Sequence, residues 1–155
     1  MAATDQVPTN SGFHARSTGA EVLADLELRG KAAVVTGGYR GIGLETTRAL
    51  AAEGVTVVVP VRSPEKAKET LAGIEGVRTA ALDLADLASV RRFADAMLGD
   101  LTQLDLLINN AGIMACPEAR VGPGWESQLG VNHMGHFALT KRLLPLISED
   151  LLAPA

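Results

Sequence analysis

Between an apolar run and an amphipathic stretch, this chain places Thr36, Gly37, Gly38, Tyr39, Arg40, Gly41, Ile42 and Gly43 in succession. That glycine-rich bend restricts the possible fold more than any other segment. Residues 31–36 read as a short buried strand. Residues 42–53 read as a helix with Leu44, Ala49, Leu50 and Ala52 on its buried stripe. Glycines at 37, 41 and 43 permit a sharp turn, close approach to a ligand and tight packing of helix on strand. The first turn of such a helix has unpaired N–H groups and roughly half a positive charge, which suits a pyrophosphate. By itself the loop also fits a bare strand-to-helix turn.

The 155 residues give room for one domain, with a core large enough to fold without staples. A formal charge of −4, with Lys and Arg scattered along the chain, argues against a nucleic-acid partner. The single cysteine, Cys116, excludes an internal disulfide and fits a reducing cytoplasm. No apolar run approaches the ~20 residues needed to span a bilayer. The polar start (Asp5, Gln6, Thr9, Asn10) lacks the layout of a signal peptide, so a cytoplasmic location is expected.

Residues 1–16 read as a flexible leader and residues 17–155 as the folded domain. Thr18 and Glu21 have capping-box spacing for a short helix through Asp25. Residues 55–59 form a continuous β-branched run, typical of a strand buried on both faces. Pro64 suits the first turn of a helix to about Ala72. Residues 78–82 then predict a third strand, 87–101 a third helix, and 104–109 a fourth strand. A long helix is expected from about Trp125 to Leu146. This alternation predicts an α/β fold, a doubly wound parallel sheet with right-handed crossovers.

The loop spacing is Thr-Gly-x-x-x-Gly-Ile-Gly, and Asn109, Asn110, Ala111 and Gly112 follow the fourth strand. Together they resemble the short-chain dehydrogenase/reductase family. The stretch from Gly112 through Thr140, with Val131, Asn132, His133, Met134, Gly135, His136 and Phe137, is similar to its retinol-dehydrogenase-like and WW-domain-oxidoreductase-like branch. The resemblance runs from about Thr18 to Leu146. It implies a dinucleotide-binding Rossmann domain, NAD(H) or NADP(H) as cofactor, and hydride exchange between a carbonyl and an alcohol of a small-molecule substrate.

By the same resemblance, Gly37, Tyr39, Arg40, Gly41, Ile42 and Gly43 are expected to hold the cofactor's phosphates. An acid at the end of the second strand would bind a ribose 2′-hydroxyl, whereas an arginine accommodates a 2′-phosphate. Here Arg62 occupies that place and Arg40 sits in the loop, which predicts NADP(H). Ser63 either adds a hydroxyl or caps the next helix. Asp83 and Leu84 match the adenine-pocket position, although Asp83 equally suits capping a helix near Ala85. Asn109, Ala111 and Gly112 are expected to line the crevice, with the Asn side chain tying neighbouring backbones together. Asn132 matches the family's helical asparagine, which helps hold a water in a proton relay. It is the one catalytic candidate. His133 and His136 lack acidic or thiol partners at metal-binding spacing, so packing on the long helix is expected and no metal. Cys116 reads as a packing or surface thiol.

The family's chemistry needs a tyrosine with a lysine four residues later, since a free phenol titrates near ~10 and needs an adjacent ammonium. Tyr39 is the only tyrosine here, and Gly43 stands four residues on. The resemblance would lead past Leu151 into a fifth strand with a catalytic serine. The expectation is therefore a Rossmann sheet truncated after about four strands, a cofactor-binding portion unable to turn over alone. Its fourth strand would leave an apolar edge at Leu106, Leu107 and Ile108, open to self-association. Two other readings stay open: a non-catalytic dinucleotide-binding or interaction module, and a sugar-nucleotide epimerase relative, which the loop spacing disfavours.

Overall fold

The structure is a computed structural model that describes residues 11–147. Of the expected leader, residues 1–10 lie outside the described residues. The elements run α1 (Gly19–Leu23), β1 (Ala32–Val35), α2 (Gly41–Ala52), β2 (Thr56–Val61), α3 (Pro64–Leu71), β3 (Val77–Ala81), α4 (Leu87–Asp100) and β4 (Leu106–Ile108). They continue with β5 (Arg120–Val121), β6 (Trp125–Glu126), a π-helical segment (Leu129–Gly135), α5 (His136–Leu143) and a 3-10 turn (Leu144–Leu146).

Strands β1 to β4 form one parallel sheet in the order β3-β2-β1-β4. Each strand alternates between two cores. Ala33, Val35, Val57 and Val59 face the layer that includes Leu50 of α2 and Leu71 of α3. Val34 and Val58 face the opposite layer, with Val90 and Phe93 of α4 and Leu139 and Leu143 of α5. Burial on both faces explains why these strands read as continuous apolar runs. The result is the α/β, Rossmann-type fold expected from the alternation.

Capping chemistry sets several helix ends as the sequence implies. Thr18 Oγ1 accepts the Glu21 N–H at 3.2 Å, and the Glu21 carboxylate accepts the Thr18 N–H at 2.7 Å. At the opposite end of the sheet from the glycine loop, Asp105 ties the start of β1 to the approach of β4. Its carboxylate accepts Ala32 N–H at 2.8 Å and Lys31 Nζ at 3.1 Å. Burial pushes this carboxyl up, but those two donors outweigh it and hold it below the ordinary carboxylate range. The latch thus stabilises the fold above that range and weakens as pH falls through it.

The expected long helix over residues 125–146 needs correction. Trp125 and Glu126 pair antiparallel with Val121 and Arg120. Gly122 and Gly124, both at positive φ, make the hairpin turn between them. Helical winding starts only after Glu126, whose carboxylate accepts Gln128 N–H at 2.9 Å and Leu129 N–H at 3.0 Å. A carboxylate on free first-turn amides is a helix start, so Glu126 cannot lie in the helix interior.

Beneath the glycine loop, one close approach lies outside the three motif glycines. A Cβ on Gly38 would stand 2.6 Å from Thr47 Oγ1 and 3.0 Å from the Val35 carbonyl oxygen. The Thr47 hydroxyl is fully buried and has no hydrogen-bond partner among the described residues. Gly38→Ala is expected to cost about 1–3 kcal/mol of stability by overpacking. Thr47→Ala, which removes an orphaned hydroxyl, should be nearly neutral. Urea unfolding of both single variants and the double variant checks the pairing. The double variant should recover most of the Gly38→Ala loss, and an equal loss in both backgrounds would refute the contact.

Candidate functional site

The C-terminal ends of β1, β2, β3 and β4 open onto one crevice of about 420 Å³, within the usual size of small-molecule sites. It lies where successive crossovers leave the sheet on opposite faces, as ligand sites of such folds do. From the β1–α2 loop come Gly37, Tyr39, Arg40, Gly41, Ile42 and Gly43. Arg62 enters from the end of β2, Asp83 and Leu84 from beyond β3, and Ala111 and Gly112 from beyond β4.

The floor is built on Thr36, whose side chain is 1% exposed. Its Oγ1 accepts the N–H groups of Asn110 and Ala111, each at 2.9 Å. Asn110 returns the tie, its Nδ2 donating to the Thr36 carbonyl at 2.8 Å. The β4 exit is thereby drawn against the glycine loop. Gly37, at φ +67°, would carry a Cβ only 3.1 Å from Ala111 Cα. A Cβ on Gly43 would meet Asn110 Nδ2 and stand 2.5 Å from the Gly37 carbonyl oxygen. The two glycines therefore let the loop and the first turn of α2 pack directly against the β4 exit, and the α2 N-terminus presents its free amides beside that junction.

Thr36 Oγ1 also lies 2.9 Å from His136 Nε2, while His136 Nδ1 lies 3.0 Å from the Asn132 carbonyl. A carbonyl only accepts, so Nδ1 carries the ring hydrogen and Nε2 accepts from the Thr36 hydroxyl. Burial lowers the His136 pKa below its ordinary value, with the Asn132 carbonyl pulling the other way. The neutral ring is the form this network accommodates.

Two candidates stand apart from the crevice lining. Asn109 donates through Nδ2 to Thr140 Oγ1 on α5 at 3.0 Å, and the backbone-tying role falls to Asn110. Asn132 clamps the backbone of Ile113, accepting its N–H at 2.8 Å and donating to its carbonyl at 2.8 Å. Its neighbour Val131 and the clamped Ile113 do line the crevice. The amide of Asn132 thus shapes the wall next to the site.

The outer end is cationic. Arg40 and Arg62 are exposed, form no ion pair among the described residues, and both border a second hollow with Tyr39, Ser63 and Thr70. The Arg40 guanidinium lies 5.9 Å from the centre of the Tyr39 ring, a cation–π contact that helps orient it. Ser63 donates to Glu65 Oε2 at 2.7 Å and makes no side-chain cap to α3. Asp83 Oδ1 accepts the Ala85 N–H at 2.9 Å, while the cap of α4 is Asp86. Cys116 Sγ sits 3.6 Å from Ser127 Oγ, half-buried and away from the crevice lining.

Sequence reasoning left out Thr36, Asn110 and His136 as site residues, and also Pro60, Leu82, Ile113 and Val131 of the lining. Thr36 and Asn110 stand inside the two motifs themselves, so position within the motif was their signal. His136 had no local signal, because its partner lies 100 residues away.

The family model for short chain dehydrogenase matches residues 31–150. A short-chain dehydrogenase/reductase prx1 from Penicillium roqueforti is 46% identical over 141 residues, covering 86% of this chain and 42% of that relative. Retinol dehydrogenase 12 of Bos taurus is 42% identical, covering 84% of this chain and 43% of its own length. The chain thus spans less than half the length of these relatives. Among solved structures, an uncharacterized protein from Mycobacterium Paratuberculosis matches with TM-score 0.74 and 46% identity, over 85% of this chain and 47% of that one. The Pseudomonas aeruginosa RhlG/NADP active-site complex matches with TM-score 0.66 and 34% identity, over 77% and 49%. A glycine loop strapped to the fourth strand, and a family match over residues 31–150, lead to one conclusion: the chain belongs to the short-chain dehydrogenase family.

Proposed function

We propose that residues 17–155 form the dinucleotide-binding domain of an NADP(H)-dependent oxidoreductase, which exchanges hydride between a carbonyl and an alcohol of a small-molecule substrate. The observation that carries the cofactor choice is the pair Arg40 and Arg62. Both border the crevice where β2 ends, both are free of ion pairs among the described residues, and no acid stands at that strand end. A dianionic 2′-phosphate suits two guanidiniums, and a bare ribose hydroxyl does not need them. The RhlG structure, a relative by shape and sequence, is described as an NADP complex, which supports the same reading.

The residues fit such a group along its length. Gly37 and Gly43 let the loop close directly on Asn110 and Ala111, Gly41 has nothing within 4 Å of a Cβ position, and the α2 amides face the pyrophosphate's place. Asp83 and Leu84 take the adenine, and Ala111 and Gly112 flank a ribose. The cofactor, when bound, supplies or accepts the hydride. Asn132, whose side chain clamps the backbone of Ile113, is the residue that would help hold a water of the proton relay in the complete enzyme. With Tyr39 in the phosphate loop and no Tyr-x-x-x-Lys among the 155 residues, this stretch is read as binding cofactor without turnover. A cytoplasmic location accords with its single cysteine.

Titration of the chain with NADPH and NADH tests this reading. NADPH should bind more tightly, and Arg62→Glu should weaken NADPH by roughly 10–150-fold, equivalent to ~1.5–3 kcal/mol, while sparing NADH. An unchanged preference would refute the assignment. Absence of binding to either cofactor would favour an interaction module.

Strand β4 pairs only with β1 among the described residues, and Leu106, Leu107 and Ile108 are half-buried. We propose that this edge drives self-association. Sedimentation at tens of micromolar should reveal oligomers, and a monodisperse monomer would count against it.

A further inference from the structure

We propose that His136 is a positioning residue of the dinucleotide crevice: neutral, it aims the Thr36 hydroxyl so that both lone pairs face the β4-exit amides, and protonated, it releases them. This rests on the dinucleotide reading above. The argument is a count of donors and acceptors. A threonine hydroxyl has one hydrogen and two lone pairs. Asn110 and Ala111 N–H groups occupy both lone pairs at 2.9 Å, and the hydrogen goes to His136 Nε2 at 2.9 Å. Every valence of Oγ1 is used.

Protonation at Nε2 turns that acceptor into a donor. Oγ1 would then face three N–H donors with two lone pairs. Its own hydrogen would be left with the Ile108 carbonyl at 3.4 Å, beyond the usual range for such a bond. Nδ1–H stays satisfied on the Asn132 carbonyl, so the ring remains anchored to its own segment. The contact that yields is therefore one of the two amides. Those amides hold Ala111 against Gly37, where both residues line the crevice.

Among the described residues, no neighbouring charge is placed to offset a charged ring. Strands β1 and β4 bring only apolar residues to their shared layer. On α4, which packs against α5, Arg92 is exposed and paired with Asp86 at 3.5 Å, Asp95 with Arg142 at 3.9 Å, and Arg91 is exposed. Asp83 is occupied with the Ala85 amide, and His133 is exposed and stacked on Phe137. Burial dominates the ring's titration and lowers it. The sign follows: the closed crevice is fully present above the ordinary value of 6.5 and is lost as pH falls below it.

The test has two arms on the full chain. In the first, ¹⁵N NMR follows His136 and the Asn110 and Ala111 amides from about pH 5 to 8. The expected result is a neutral Nδ1–H tautomer at the alkaline end, with both amides shifting at the midpoint of His136. In the second, NADPH affinity is measured over the same range. Wild type should weaken roughly tenfold through that midpoint, the equivalent of one net hydrogen bond. His136→Gln offers an acceptor that does not titrate and should reduce the pH step to that of the 2′-phosphate's own titration, at pH ~6. His136→Phe offers none and should bind weakly throughout. An Nε2–H tautomer, amides indifferent to the His136 midpoint, or a pH step as large in His136→Gln as in wild type would overturn the proposal. The NMR arm needs no cofactor, so its failure falls on His136 alone. Absence of NADPH binding at every pH overturns the cofactor reading instead.

Discussion

A Gly43→Ala variant is expected to lose dinucleotide binding and about 3 kcal/mol or more of stability. The added methyl would collide with Asn110 Nδ2 and stand 2.5 Å from the Gly37 carbonyl oxygen. Neither obstacle can step aside cheaply. The Asn110 amide is the strut that donates to the Thr36 carbonyl at 2.8 Å, and the Gly37 carbonyl is backbone in a turn at φ +67°. Relief therefore shifts the first turn of α2 and the loop together, displacing the amides that face the phosphates. Gly41 is the internal control. It sits at φ +56° with nothing within 4 Å of a built Cβ, so Gly41→Ala should cost only ~1–2 kcal/mol of backbone strain. Thermal unfolding and NADPH titration of both variants check the contrast. Equal effects at the two glycines would mean that close packing against Asn110 does not matter.

The second large effect is expected from Thr36→Val, which keeps the shape and deletes the hydroxyl. It leaves the Asn110 and Ala111 N–H groups and His136 Nε2 without their shared partner. Buried polar groups left unpaired cost about 1–3 kcal/mol each, and partial solvation of the β4 exit reduces the sum to roughly 2–4 kcal/mol. For a domain of this size that corresponds to a midpoint lowered by roughly 5–15 °C. Thr36→Ser restores the hydroxyl and should recover most of the loss. Full stability in Thr36→Val would show that the network contributes nothing net.

Local signals were readable where the physical cause is local. The capping box needs only Thr18 and Glu21, three positions apart, and both of its bonds are present. The double-sided burial of β1 and β2 follows from unbroken apolar runs that leave no polar face. Trp125 misled because its apolar character suits a helix, whereas the turn glycines at 122 and 124 and the carboxylate of Glu126 decide that the chain pairs first and winds afterwards. Asn109 and Asn110 are chemically identical. Consecutive residues leaving a strand point to opposite sides, so one reaches α5 and the other the glycine loop.

From sequence alone came the order of strands and helices as far as the fourth strand, the glycine bend, its companion motif after that strand, and the absence of an acid before Arg62. These rest on periodicity, turn chemistry and spacing, which act over a few residues. Tertiary structure alone decided which asparagine bridges the motifs, which hydrogen His136 carries, and that Arg40 and Arg62 border one hollow. The groups involved are far apart in the chain, 74 residues for Thr36 and Asn110 and 100 for Thr36 and His136. They meet because the parallel pairing of β1 with β4 sets Val35 beside Ile108 and so brings the two strand exits together. Hydrogen-bond satisfaction at that junction then leaves one arrangement of donors and acceptors.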